Sequence, residues 1–207
     1  MEITLNELGK RYNFNWIFNG VDWKIASGDR CVFLGSNGSG KSTLLQITSG
    51  ALLPSTGTIE WVHQNKLVEA EKIYQFVSIA APYLELIEEF SLRELVDFHF
   101  SIKTPLGGLS SQEIISIIGL SHASDRRISY FSSGMRQRVR LGLAILSDTP
   151  LLLLDEPLSN LDKKAESWYQ ELLKAYSFQR TILVSSNHLE EEYFICDRSL
   201  SIENYHV

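Results

Sequence analysis

The feature that most limits what this chain can fold into is Gly35-Ser36-Asn37-Gly38-Ser39-Gly40-Lys41-Ser42, which fits the Walker A pattern G-x-x-x-x-G-K-[ST]. Arg30 to Leu34, just before it, is a short apolar run of the kind that makes a buried strand. Ser42 to Gly50, just after it, reads as the opening of a helix. Strand, glycine loop and helix together suit a nucleotide triphosphate. Glycines let the backbone curl so that successive N–H groups point inward, and the helix start adds unpaired N–H groups and the positive end of its dipole. Lys41 is expected to reach the β- and γ-phosphates, and the Ser42 hydroxyl to hold Mg²⁺; Thr43 continues the same binding turn.

The rest of the chain is consistent with one soluble domain of 207 residues built on such a unit. A 44% hydrophobic, 21% charged composition supports a sizeable core, and the net charge of −6 argues against a broad nucleic-acid surface. No apolar run approaches the roughly 20 residues of a membrane-spanning helix, and Met1-Glu2-Ile3-Thr4 lacks the regions of a signal peptide. Cys31 and Cys196 fall in apolar contexts and read as buried free thiols of a reducing cytosol.

In chain order, Ile3 to Leu8 alternates as a first strand, and Tyr12, Phe14, Trp16 and Phe18 follow at period two as an aromatic strand or extended segment. Most of these aromatics belong to a half-buried sheet face, and one is available to stack on an adenine. Val21 to Ile25 is another strand, and Thr58 to Val62 follows the turn at Pro54-Ser55-Thr56-Gly57. Phe76 to Ala81 reads as a strand ended by Pro82. Ser91 is an N-cap with Glu94 completing a capping box, for a helix to about Phe100. Ser111 to Ile118 is a second helix with Ile114, Ile117 and Ile118 on one face, and Gly134 to Leu146 a third. Residues from about 83 to 135 therefore look like a helical insert in a mixed α/β core. Leu151 to Leu154 ends in Asp155-Glu156, an apolar strand delivering acids at its carboxyl end, where ligands of parallel sheets bind. Asp162 to Tyr176 is a long helix, and Thr181 to Ser186 a buried strand with His188 just beyond it, a position that on its own more often holds a surface residue than a catalytic one.

Together these residues resemble the ATP-binding subunit of an ABC transporter over nearly the whole chain. Phe131-Ser132-Ser133-Gly134-Met135-Arg136-Gln137-Arg138 is similar to the family's L-S-G-G-Q signature, Leu151 to Glu156 to Walker B with its adjacent glutamate, Ser159-Asn160-Leu161-Asp162 to the D-loop, and His188 to the switch histidine. A nucleotide kinase has the first motif without the signature or the D-loop. The resemblance implies a P-loop NTPase (RecA-like) core with a mixed β-sheet, a small N-terminal antiparallel β part and the helical subdomain. It also implies ATP and Mg²⁺ as cofactors. Mg²⁺ falls to Ser42 and Asp155, the general base to Glu156, γ-phosphate contacts to His188 and Lys41, adenine stacking to Tyr12 with Phe14 and Trp16 as competitors, and Ser132, Gly134 and Asp162 to the face that a second copy closes over the nucleotide. The implied partners are a second cassette and a separate integral membrane subunit, the implied location the cytoplasmic face of the membrane, and no nucleic acid is expected.

Two departures stand out. Ser133 and Met135 replace signature residues, and Ala81-Pro82-Tyr83 occupies the position of the family's Q-loop without a glutamine, with Glu85 as the candidate substitute. Beside that position Tyr83, Leu84, Leu86 and Ile87 are candidates to line a groove for the membrane subunit. A soluble ABC-type ATPase acting on a ribosome or nucleic-acid assembly, and a non-hydrolysing ATP-dependent dimer switch, are the alternatives left open by the sequence.

Overall fold

The first two strands of the computed structural model, which describes residues 1–206, run far longer than their alternation announces: β1 spans Glu2–Tyr12 and β2 spans Asn15–Ile25. They form one antiparallel hairpin in which Ile3 faces Ile25 and Tyr12 faces Asn15. The period-two aromatic run is therefore not one strand. Asn13 turns it with φ 54°, a conformation asparagine tolerates, and leaves Phe14 almost fully exposed at the tip. The separate segment expected from Val21 to Ile25 is the far half of β2.

Next come β3 (Arg30–Leu34), α1 (Lys41–Thr48) and β4 (Thr56–His63). A short β5 (Lys66–Val68) returns from β4 through Gln64 and Asn65, both in the left-handed region, a hairpin that the sequence reading missed. After β6 (Val77–Ala80) come α2 (Leu92–Ile102), α3 (Ser111–Ile118), α4 (Ser133–Ile145), β7 (Leu151–Asp155), α5 (Lys163–Tyr176), β8 (Thr181–Ser186) and β9 (Arg198–Ser201). The antiparallel strands form a four-stranded sheet in the order β2-β1-β4-β5, and the others a five-stranded sheet in the order β6-β7-β8-β3-β9. β3 is parallel to both β8 and β9, and β7 is parallel to β8, so β3, β7 and β8 deliver their carboxyl ends to one edge. This α/β architecture is the P-loop NTPase fold expected from the sequence.

The chain divides into two compact units. The first comprises Met1–Ile79, Pro150–Glu156 and Gln179 onward, and holds both sheets and α1. Its core joins Ile3, Leu5, Phe18 and Trp61 of one sheet to Phe33, Leu153 and Leu183 of the other, with Leu44, Leu45 and Ile47 of α1 between them in sequence. Leu151 to Leu154 are all inaccessible, as the unbroken apolar run requires, and each such leucine stabilises the fold by about 1.5–3 kcal/mol. Cys31 and Cys196 are free thiols that burial pushes up to about 12, so both stay protonated; Cys196 is only partly buried.

The second unit, Ala80–Thr149 and Pro157–Phe178, contains α2 to α5. The expected capping box closes at Ser91, whose hydroxyl accepts from the Glu94 N–H while the Glu94 carboxylate accepts from the Ser91 N–H. The same device closes α3 at Ser110 and Glu113. The buried face of α3 is Ile114, Ile115 and Ile118 rather than the expected Ile114, Ile117 and Ile118; Ile117 is half-buried, and its carbonyl accepts from the Trp168 indole N–H at 2.8 Å. The Arg138 guanidinium stacks on that same indole, 4.4 Å from its centroid.

Candidate functional site

The phosphate loop leaves β3 and enters α1 through Gly40, whose φ of 102° and ψ of 6° only glycine adopts without strain. A Cβ at Gly40 would also crowd Ile17 and Phe18 of β2. The loop walls a cavity of about 200 Å³ lined by Ile17, Asn37, Gly38, Gly40, Lys41, Ser42, Thr43 and Glu156. Four features of the cavity bear on its chemistry. First, α1 starts with no side-chain cap, so its first N–H groups are free to meet an anion. Second, Lys41 is almost wholly buried, its ammonium donating to the Ser36 carbonyl at 3.0 Å and lying 3.7 Å from Glu156 Oε1. A buried cation with so little anionic company favours a polyphosphate beside it.

Third, Asp155 ends β7 fully buried, with Oδ1 accepting from the Ser185 hydroxyl while Oδ2 closes no hydrogen bond. Burial raises its pKa, against the Ser185 bond and the nearby Ser42 hydroxyl that pull it down, the Glu156 charge that raises it and the Lys41 charge that lowers it. A buried carboxylate with one unused oxygen beside a serine hydroxyl fits Mg²⁺, whose oxygen ligands are completed by phosphate and water. Fourth, Glu156 holds φ 43°, a position disfavoured for its side chain, fixed by its N–H donating to the Ser185 carbonyl at 3.0 Å. Strain of this kind aims the carboxylate into the cavity rather than along the strand.

The structure thus gathers Asn37, Gly38, Gly40, Lys41, Ser42, Thr43 and Glu156 around one cavity, with Asp155 behind them. Gly35, Ser36 and Ser39 build the loop without lining it. His188 follows β8, exposed and with φ 59°, and is not among the lining residues. Nor is Tyr12: it ends β1 half exposed, with the Lys10 ammonium 5.2 Å from its ring centroid. Ile17 lines the cavity instead, a residue passed over because the aromatic alternation drew attention to the even-numbered positions.

In the second unit Ser132 caps α4, its hydroxyl accepting from the Met135 N–H at 3.2 Å. A Cβ on Gly134 would come to 3.0 Å from the Asn160 carbonyl, so the signature glycine lets the D-loop pass close by. Asn160 itself holds φ 62°. Asp162 caps α5 through the Ala165 N–H at 2.8 Å. Ser132, Gly134 and Asp162 therefore share one open cavity of about 570 Å³. Gln137 of α4 is buried and donates to the Pro157 carbonyl at 3.0 Å. A second, larger cavity of about 810 Å³ is lined by Pro82, Tyr83, Glu85, Leu86, Ile87, Glu88, Glu89, Arg136 and Arg140. Arg140 donates to the Leu84 carbonyl at 2.7 Å, and Arg136 pairs with Glu88 at 2.6 Å, so α4 fixes the loop that walls this groove.

Residues 18–159 match the ABC transporter family. The chain belongs to the ABC transporter family. Among its relatives is the Nod factor export ATP-binding protein I of Burkholderia orbicola, 29% identical over 97% of this chain, which spans 67% of that protein. The cytochrome c biogenesis ATP-binding export protein CcmA of Agrobacterium fabrum is 28% identical over 91% of this chain and 89% of its own length. An ATP-binding cassette solved as a dimer in a post-hydrolysis state with ADP and Pi matches with a TM-score of 0.79 at 21% identity, covering 97% of this chain and 94% of its own, which shows the fold. As an ABC ATP-binding subunit, the chain is an ATPase whose hydrolysis powers transport.

Proposed function

We propose that this cassette works as one half of a pair, with the Walker A cavity of one copy facing the Ser132–Gly134 signature of the other across bound ATP. A two-fold contact of that kind places two nucleotides in one interface. The loop amides, the α1 start and Lys41 take the phosphates, and Ser42 with Asp155 would hold Mg²⁺, which would supply neutralisation of phosphate charge. Glu156 orients and polarises the attacking water, His188 approaches the γ-phosphate from the end of β8, and Asp162 lies at the contact between copies. The observation that carries the reading is the meeting of the nearly buried Lys41, the strained Glu156 and the half-used Asp155 at one cavity. Positioning and electrostatics supply most of the rate in phosphoryl transfer. Glu156→Gln is therefore expected to slow ATP turnover by about 10²-fold or more while ATP still binds. Turnover at the unchanged rate would remove Glu156 from its role.

Among the described residues no helix is long and apolar enough to cross a membrane, so the transported path belongs to a separate membrane subunit in this reading. The cassette then sits peripherally on the cytoplasmic face. The groove of Tyr83, Leu86 and Ile87 is the proposed seat for that subunit, and the export functions in its relatives' names favour an exporter. Leu86→Asp is expected to abolish co-purification with the membrane subunit without lowering the melting temperature of the cassette; association that survives the substitution places the seat elsewhere.

A further inference from the structure

The turn after β9, Ile202–Tyr205, leans on the phosphate loop at points that no motif predicts. Both the Ser36 N–H and the Ser36 hydroxyl donate to one oxygen of Glu203, at 2.8 and 2.7 Å. On its other side the Ser36 carbonyl accepts from the Ser39 N–H at 3.2 Å and from Lys41 Nζ at 3.0 Å. Every polar group of Ser36 is thus engaged. The far end of the same arc is held too: His206 lies with Nε2 2.9 Å from the Ser39 carbonyl, which can only accept, so Nε2 carries the proton.

The turn is itself firmly mounted. β9 pairs with β3 so that Ser201 sits beside Leu34, and Ile202 is wholly buried. A Cβ on Gly35 would meet Ile202 at 2.8 Å, so the isoleucine lies directly against the start of the loop. The two Ser36 bonds hold the Glu203 carboxyl below the usual carboxylate range, with the charges of His188 and His206 adding to the effect.

We propose that Glu203 is a positioning residue for nucleotide binding, fixing Ser36 so that the loop keeps its curl when Lys41 leaves the Ser36 carbonyl for a phosphate. The inference rests on the proposed reading of the loop as the phosphate site. Lys41 has two places to be, the carbonyl or the nucleotide, and only the second is productive. If Ser36 were free, it would follow the departing ammonium and the amides of the arc would lose their aim. Glu203 prevents this through acceptor geometry rather than charge. A bare negative charge beside a polyphosphate site opposes binding, so the two possible roles of Glu203 predict opposite signs.

The test is calorimetric titration with MgADP, which needs no turnover, on the purified chain. Glu203→Ala is expected to weaken MgADP binding about tenfold, the loss typical of removing an acceptor shared by two hydrogen bonds. Glu203→Gln keeps an acceptor oxygen and is expected to stay within about threefold of the parent. Because Glu203 is exposed, both variants should melt near the parent temperature. MgADP binding that is unchanged or tighter in Glu203→Ala, or equally weak in both variants, overturns the proposal. Ser36→Ala reads the link from its other side and is expected to cost about threefold, and no loss there counts against it. Lys41→Ala serves as the control: if it too leaves MgADP binding unchanged, the phosphate-site reading fails, whereas its loss beside an unaffected Glu203→Ala defeats the positioning role alone.

Discussion

The helices of the second unit begin with their own side chains folded back on them, whereas the helix behind the phosphate loop begins bare. Ser91, Ser110, Ser132 and Asp162 each accept a backbone N–H at the starts of α2, α3, α4 and α5. Among the described residues α1 alone of the α-helices lacks such a cap, and the residue before its first turn is the left-handed Gly40. A helix start left open leaves its N–H groups for a ligand, and the fold gives up about 1 kcal/mol of capping there. The same contrast runs through the side chains nearby. Asp155 Oδ2 and Ser39 Oγ are buried with no hydrogen bond, and Glu156 is held in a disfavoured backbone conformation. The second unit has unpaired polar atoms of its own: the Nε groups of Arg136 and Arg138 belong to α4, which carries the signature and walls the groove, while Ser124 Oγ lies apart from both. What sets the phosphate site apart is the concentration of such features, an uncapped helix, an unpaired carboxylate oxygen and a disfavoured backbone conformation, within a few residues of one loop.

Two substitutions sharpen the comparison, one in each unit. Ile118→Ala removes a fully buried side chain that α3 packs tightly over Gly142 of α4. It is expected to cost about 3 kcal/mol of stability in denaturant titration, with MgADP affinity unchanged once the protein is folded. Lys41→Ala should do the reverse. It is expected to weaken nucleotide binding about a hundredfold, roughly 2.7 kcal/mol, while removing a poorly compensated buried charge and leaving the unfolding midpoint where it was or higher. If Ile118→Ala weakened nucleotide binding in the folded protein, or Lys41→Ala unfolded the chain, the division between a finished unit and an unfinished site would collapse.

Much of this was legible in the sequence because local chemistry and global fold agree at the places that matter. The phosphate loop, the Leu151–Glu156 strand and the Ser91–Glu94 box each impose one backbone path, and the structure follows it. What could not be read depended on partners far away in the chain. The β5 return rests on two consecutive left-handed residues, Gln64 and Asn65, and glutamine gives little sign of that preference. Tyr12 and Phe14 share a period with buried strand residues, but the turn at Asn13 sends them to the surface. Ile17 enters the cavity only because the β1–β2 hairpin carries it beside Gly40. Glu203 and His206 meet Ser36 and Ser39 across 167 positions, and no spacing rule spans that distance.

The smallest effect concerns a group that the second unit has satisfied at the expense of its charge. His99 of α2 lies with Nε2 3.0 Å from the Ser147 hydroxyl, which already donates to the Leu143 carbonyl at 2.6 Å, so the imidazole is the donor in that pair. Burial, and then the neighbouring Lys103 charge, lower its pKa to about 4. Unfolded, it returns to about 6.5 and takes up a proton that the folded state refuses. The contribution to stability is therefore complete above about pH 6.5 and is lost as pH falls toward 4. Between pH 7.5 and pH 5 the loss attributable to this residue is on the order of 1–2 kcal/mol. His99→Gln keeps a donor for Ser147 and cannot titrate. Urea titrations of parent and variant at pH 7.5 and pH 5 should therefore show the variant losing less on acidification by that amount. Equal losses would mean that His99 accepts its proton without unfolding, and that the helical unit has more room for charge at this position than its packing implies.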